Sequence, residues 1–229
     1  MWVIVLLALF VVVIASYGMV PTLIYKIRNN MRRKERTDKV LYLTFDDGPD
    51  RKFTPSLLEL LNQYDIKASF FVVASFAGRH PDIIANIKEN GHCIALHSYQ
   101  HNNPFWQTPT QIKLDFEQSL KVFRNQKINP CGYRPPWLRF NLPSMQQMKN
   151  YHLKPMLCNV MAEDWRAHTT ADAICKKLLN RSKSGDIICL HDGRGRNEAP
   201  GRMIEALKKA IPCWLSQGYR FLKVDEYDE

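Results

Sequence analysis

Apolar residues in this 229-residue chain fall into short runs separated by stretches of helical period. Short runs rich in Val, Ile, Leu and Phe read as buried strands, and apolar spacings of three and four read as helix. Strands are predicted over 40–45, 68–73, 92–96, 131–134, 154–160, 186–190 and 219–222. Helices are predicted between most of them, over 55–64, 81–89, 110–125, 142–151, 170–181 and 201–216. Pro55, Pro81 and Pro143 sit near helix starts, where a missing amide donor costs little. Asn90-Gly91 and Gln217-Gly218 suit helix stops. Strand–helix alternation implies parallel βαβ units. Seven strands point to a closed or nearly closed α/β barrel, a fold that gathers its chemistry at the carboxyl ends of the strands.

The amino-terminal pattern differs. Trp2 to Tyr25 contains no charged side chain and is mostly apolar. About 20 such residues can cross a bilayer as a helix. No basic residue precedes the run, and Ser16-Tyr17-Gly18 is a poor cleavage site, so an uncleaved single-pass membrane anchor is predicted. This divides the chain into an anchor with a basic flank (1–36) and one globular domain (37–229). Lys26, Arg28, Arg32, Arg33, Lys34 and Arg36 against Glu35 supply half of the net charge of +10. Such a cluster suits anionic lipid headgroups. Taken alone it would hold the domain on the cytoplasmic side. Basic residues interleaved with aromatics across the domain are missing, which excludes a nucleic-acid groove. The six cysteines (Cys93, Cys131, Cys158, Cys175, Cys189, Cys213) show no CxxC spacing. Several lie in apolar runs as small core residues, which leans toward a reducing compartment.

Chemistry concentrates in a few polar motifs. Thr44-Phe45-Asp46-Asp47-Gly48-Pro49 places two adjacent carboxylates directly after a strand. Alone it is also a good turn sequence. Adjacent acids repel, so such a pair is held by positive charge or split between roles. Further on, His97-Ser98-Tyr99-Gln100-His101 supplies two imidazoles. One carboxylate and two histidines form a facial set for a divalent metal, leaving the second carboxylate free to act as a base. Tyr133-Arg134-Pro135-Pro136-Trp137 adds an arginine able to hold a buried carboxylate ionised. It also makes the Trp137 amide the first free donor after a stiff turn. Ile187-Ile188-Cys189-Leu190-His191-Asp192-Gly193 carries an imidazole to the end of a strand. Ala162-Glu163-Asp164-Trp165 is the weakest of these signals.

In this order the motifs resemble the polysaccharide deacetylase family, the NodB-homology domains of carbohydrate esterase family four, over roughly Lys39 to Val224. The family's Thr-Phe-Asp-Asp-Gly-Pro is matched by Thr44–Pro49, its His-Ser/Thr-x-x-His by His97–His101, and its Arg-x-Pro-aromatic by Arg134–Trp137. Its Leu-x-Leu-His is met by Ile188–His191, with Ile first. The resemblance implies a distorted (β/α)7 barrel, here preceded by the transmembrane helix. It also implies metal-dependent removal of N- or O-acetyl groups from an N-acetylglucosamine-type glycan such as peptidoglycan or chitin-like chains.

Residue by residue, the resemblance assigns a metal, zinc by expectation, to Asp47, His97 and His101. Asp46 becomes the general base and Arg134 its aligning cation. His191 becomes the general acid supported by Asp164, and the Trp137 amide an oxyanion donor. Two positions depart from the family pattern: Leu138 stands where Gly is common, and Met161 where an Asp often begins the fourth motif. Family habit places the domain outside the cytoplasm. Two other readings stay open at this point, a deacylase of a lipid-linked sugar at the inner membrane face and an inactive carbohydrate-binding module. The sequence does not specify an oligomeric state.

Overall fold

The computed structural model describes residues 2–3, 5–6, 9, 12, 15–34 and 38–227. Six strands form one sheet: β1 (Val40–Asp46), β2 (Ser69–Val72), β3 (Cys93–Leu96), β4 (Val160–Met161), β5 (Asp186–His191) and β6 (Arg220–Phe221). Every pairing is parallel, in the order β3-β2-β1-β5-β4, with β6 joined to β1. Single bridges from Leu96 to Tyr133 and from Tyr133 to Pro155 carry the sheet past β3. Pro155 lies just before β4 in the chain, so this path turns back toward the opposite edge and nearly closes the sheet. The parallel α/β architecture is consistent with the expected barrel.

β1 is buried at all seven positions, as a continuous apolar run at the centre of a parallel sheet must be. One layer of the core packs the strands against the helices. The second fills the barrel interior with Tyr42, Phe71, Ala95, Met156 and Ile187. The disulfide Cys93–Cys131 joins two elements of that interior, whereas Cys158, Cys175, Cys189 and Cys213 are free. The expectation of reduced cysteines therefore fails for one pair.

The membrane anchor is also overturned. Among the described residues no helix is long and apolar enough to cross a bilayer. The predicted span, 2–25, falls partly outside the described residues. What is described runs through a π-helical turn (Ala15–Met19) into α1 (Val20–Lys34), which has only 15 residues and carries Lys26 and Arg28 within it. Part of this segment packs on the domain itself. The Tyr25 ring lies 4.4 Å from that of Phe140, the Thr22 hydroxyl bonds the Phe140 backbone, and buried Gly18 sits against Phe105. The single-pass localisation and the membrane as a partner fall with the anchor.

The remaining helices are α2 (Thr54–Gln63), α3 (Ala74–Arg79), α4 (Pro81–Glu89), α5 (Pro109–Asn125), α6 (Leu142–Asn150), α7 (Ala171–Arg181) and α8 (Ala199–Ser216). Capping boxes at Thr108/Gln111 and Asn141/Ser144 start α5 and α6.

Candidate active site

Parallel pairing brings the motif residues to one rim. Asp46 ends β1 beside His191, which ends β5, and the two are register partners. His97 follows β3 and bonds the Val72 carbonyl through its amide. The Arg134 amide bonds the Leu96 carbonyl. Residues separated by up to 145 positions thus share one site.

Asp47 is buried, with its Oδ1 facing His97 Nε2 at 3.3 Å and His101 Nε2 at 2.9 Å. Among the described residues this oxygen has no hydrogen-bond partner of good geometry. His97 Nδ1 lies 2.8 Å from the Arg134 carbonyl, which assigns the ring proton to Nδ1 and leaves the Nε2 lone pair aimed at Asp47. Burial alone would raise the Asp47 carboxyl, but with a proton on the facing nitrogens the imidazoles of His101 and His97 outweigh it and hold the group far below the usual carboxylate range, so a proton or a cation between them keeps Asp47 ionised. Burial pushes His101 down, against the opposing pull of Asp47. Three lone-pair donors converging on one point, one of them orphaned, form a set that a divalent cation fits.

Asp46 sits beside this set with a different partner. The fully buried Arg134 donates from Nη1 to Asp46 Oδ1 at 2.6 Å and to Thr44 Oγ1 at 2.8 Å, and from Nε to the Met156 carbonyl at 3.1 Å. Its guanidinium also lies 3.9 Å from the Phe71 ring centroid. The Cys189 thiol donates to Asp46 Oδ2 at 3.3 Å. Asp46, Cys189 and His191 form a second trio whose donor atoms lie within 4.8 Å of one another, as Asp47, His97 and His101 do. The second trio is the poorer cation site, because Arg134 already neutralises Asp46 and His191 is itself cationic. Burial would lower the His191 imidazole, yet the Asp164 charge and hydrogen bond, with Asp47 and Asp46 adding, push it up to about 10. Asp164 lies 3.1 Å from His191 Nδ1 and also accepts the His191 amide at 2.8 Å.

Several backbones here are left-handed without glycine: Asp47 (φ 72°), His101 (φ 59°), Trp137 (φ 54°) and Leu138 (φ 55°). Such residues cost about 1–3 kcal/mol each and persist where the fold over-determines them. The position where Gly is common in the resembled family is thus one whose backbone favours it, and Leu138 bears the strain. The peptide bond between Gly48 and Pro49 is cis. The Leu138 amide bonds the Pro135 carbonyl, while that of Trp137 has no partner among the described residues.

An open cavity of about 970 Å³ lies over the site, walled by Asp47, His101, Trp137, Trp165, His191 and Arg194, with Met161 also facing it. Sequence reasoning missed three contributors. Thr44 shares the Arg134 guanidinium. Arg194 approaches Asp47 Oδ2 at 4.0 Å. Buried Asp192 accepts from Thr54 Oγ1 at 2.6 Å, and burial lifts its carboxyl to about 7 despite that bond. A Cβ on Gly48 would meet that carboxylate at 2.4 Å, and one on Gly193 would meet the Asp47 carbonyl at 2.3 Å. The glycines of Asp-Asp-Gly-Pro and His-Asp-Gly were the available signal, since they let the two loops touch.

A family profile described as polysaccharide deacetylase matches residues 33–156. A peptidoglycan-N-acetylglucosamine deacetylase of Bacillus cereus is 31% identical over 191 residues, covering 82% of this chain and 88% of its own. The crystal structure of a peptidoglycan N-acetylglucosamine deacetylase with an N-oxidanyl-benzamide compound superposes with a TM-score of 0.76 at 27% identity, covering 82% of this chain and 87% of that one. A family 4 acetyl xylan esterase from Clostridium thermocellum, in complex with a cobalt ion, gives a TM-score of 0.74 at 31% identity over 82% and 90% of the two chains. Some longer relatives are spanned for only 32% or 40% of their length. The chain belongs to the polysaccharide deacetylase family. It is a hydrolase of carbon–nitrogen bonds other than peptide bonds.

Proposed function

We propose that the protein removes N-acetyl groups from N-acetylglucosamine units of a cell-wall glycan, using a divalent cation held by Asp47, His97 and His101. The observation that carries this reading is the orphaned Asp47 oxygen between two imidazole nitrogens, beside a second carboxylate that Arg134 keeps out of the cluster. When bound, the cation supplies Lewis acidity toward water and toward the acetyl carbonyl.

The chain's own residues divide the rest of the work. Asp46, aligned by Arg134, takes a proton from the attacking water. The unpartnered Trp137 amide donates to the oxygen on which negative charge develops. His191, kept as imidazolium by Asp164, donates its proton to the departing amine. The Trp137 indole, 55% exposed and 4.6 Å from the His101 ring, offers a flat face for a pyranose. Amine release from N-acetylglucosamine oligomers, measured with and without a chelator, tests the function. Chelator-sensitive release is expected, and its absence for every oligomer would sink the proposal.

Two variants test individual roles. His97→Ala removes a ligand outright, so its cation affinity should fall by more than about a hundredfold, beyond the range for losing an outer-sphere partner alone. Equilibrium dialysis checks this, and stoichiometric cation in the variant would contradict the assignment. Asp164→Asn removes the charge that raises His191. The alkaline limb of the kcat–pH profile should then move from near 10 down by at least about two pH units. Because the folded pKa of His191 lies above its ordinary 6.5, its ion pair contributes stability fully below pH 6.5, and that contribution fades as pH rises toward 10. Asp164→Asn should flatten that part of the stability–pH curve, and an unaltered profile would exclude the support role.

A further inference from the structure

Beside the catalytic cavity lies another of about 460 Å³. The two share one loop: His101 walls the first, while Tyr99 and Gln100 wall the second. At its edge stands Trp106, with 78% of its surface exposed. The short turn that carries it, Pro104–Trp106, is pinned from three directions. Asn103 Oδ1 accepts the Phe105 amide at 3.0 Å, Asn141 Nδ2 donates to the Pro104 carbonyl at 2.6 Å, and Tyr17 Oη donates to the Gln107 carbonyl at 2.5 Å. The Phe105 ring meets the indole edge-on at 4.7 Å. A large aromatic held outward on a fixed turn costs little entropy to engage.

The chemistry around it narrows the ligand. The side-chain amides of Gln100, Asn102 and Gln118 have no hydrogen-bond partner among the described residues, and each offers both donors and an acceptor. Asp115, buried at the wall, has both carboxylate oxygens within reach of the Tyr99 amide, at 3.0 and 3.1 Å. Among the described residues no lysine or arginine lines the cavity, which disfavours phosphate or any polyanion. Apart from the aromatics, Leu114 is the sole apolar side chain among the described residues that line it, which disfavours a hydrophobic peptide. A flat indole ringed by amides fits a neutral, hydroxyl-rich sugar ring.

We propose that Trp106, with Gln100, Asn102 and Gln118, forms a subsite for a sugar unit remote from the acetyl group under attack, so that the enzyme reads glycan length. This rests on the acetylated-glycan reading above. In Trp106→Ala, the ratio of kcat/KM for the N-acetylglucosamine pentamer to that for the dimer should fall about tenfold, the equivalent of 1.4 kcal/mol. Gln118→Leu should lower it by a smaller factor in the same direction. A ratio unmoved in Trp106→Ala overturns the subsite.

Binding is measured separately, by tryptophan fluorescence titration with the pentamer in EDTA so that no turnover intervenes. Weaker pentamer binding by Trp106→Ala than by the unaltered protein supports the subsite. Equal affinity, or no pentamer binding by the unaltered protein, overturns it. If the unaltered protein releases amine from no oligomer, the deacetylase reading fails, and the titration still decides the subsite.

Discussion

Asp46→Asn lowers kcat by about 10²- to 10⁴-fold while the protein still takes up one equivalent of cation. That range is the usual worth of a positioned proton acceptor. The substitution keeps the shape of the side chain. Asp46 also lies outside the trio of converging donors, since its Oδ1 faces Arg134 at 2.6 Å and its Oδ2 is 4.0 Å from His97 Nε2. Elemental analysis of the purified variant and an amine-release assay separate the two effects. Turnover at the unaltered rate would remove Asp46 from the role of base, and loss of the cation would make it a ligand instead.

Arg134→Met destabilises the fold by about 3–5 kcal/mol, the usual cost of leaving one buried charge without its partner. Arg134 is fully buried and Asp46 is 2% exposed, so water cannot take the place of the guanidinium. The same change frees Asp46 to turn away from the attacking water, so activity falls with stability. Urea unfolding of Arg134→Met, of Asp46→Leu and of the double variant checks the energetics. The double variant should recover stability relative to Arg134→Met, because removing both charges leaves neither uncompensated. Additive losses would mean that the two residues act independently.

The residues that gather at the candidate site were more legible than the edges of the fold. Asp46, Asp47, His97, His101, Arg134 and His191 stand out because each polar residue interrupts or ends an apolar run. The strand predicted over 131–134 reduces to a bridge at Tyr133, because Pro135 and Pro136 cannot donate to a ladder. That over 154–160 shrinks to a bridge at Pro155 and to β4, with Pro155 near its start and the Asn159 side chain taking the Ile187 amide. The helix Ala74–Arg79 was not anticipated, being short and containing Gly78. At the amino terminus, hydropathy alone cannot separate an apolar helix that meets lipid from one whose Tyr25 meets Phe140. The partnerships of Thr44 with Arg134, of Asp192 with Thr54 and of Arg194 with Asp47 were not legible for a related reason. Thr54 and Asp192 are 138 positions apart, and the parallel pairing of β1 with β5 makes them neighbours.

The left-handed backbones of Asp47 and His101 have a practical meaning for anyone who borrows this centre. Two of its three donors are aimed by the main chain and not by rotamer choice alone. Copying the side chains onto the strand ends of an unrelated barrel would therefore leave the carboxylate and the imidazole pointing astray. The transferable unit is the pair of loops, with the glycine contacts that let them touch.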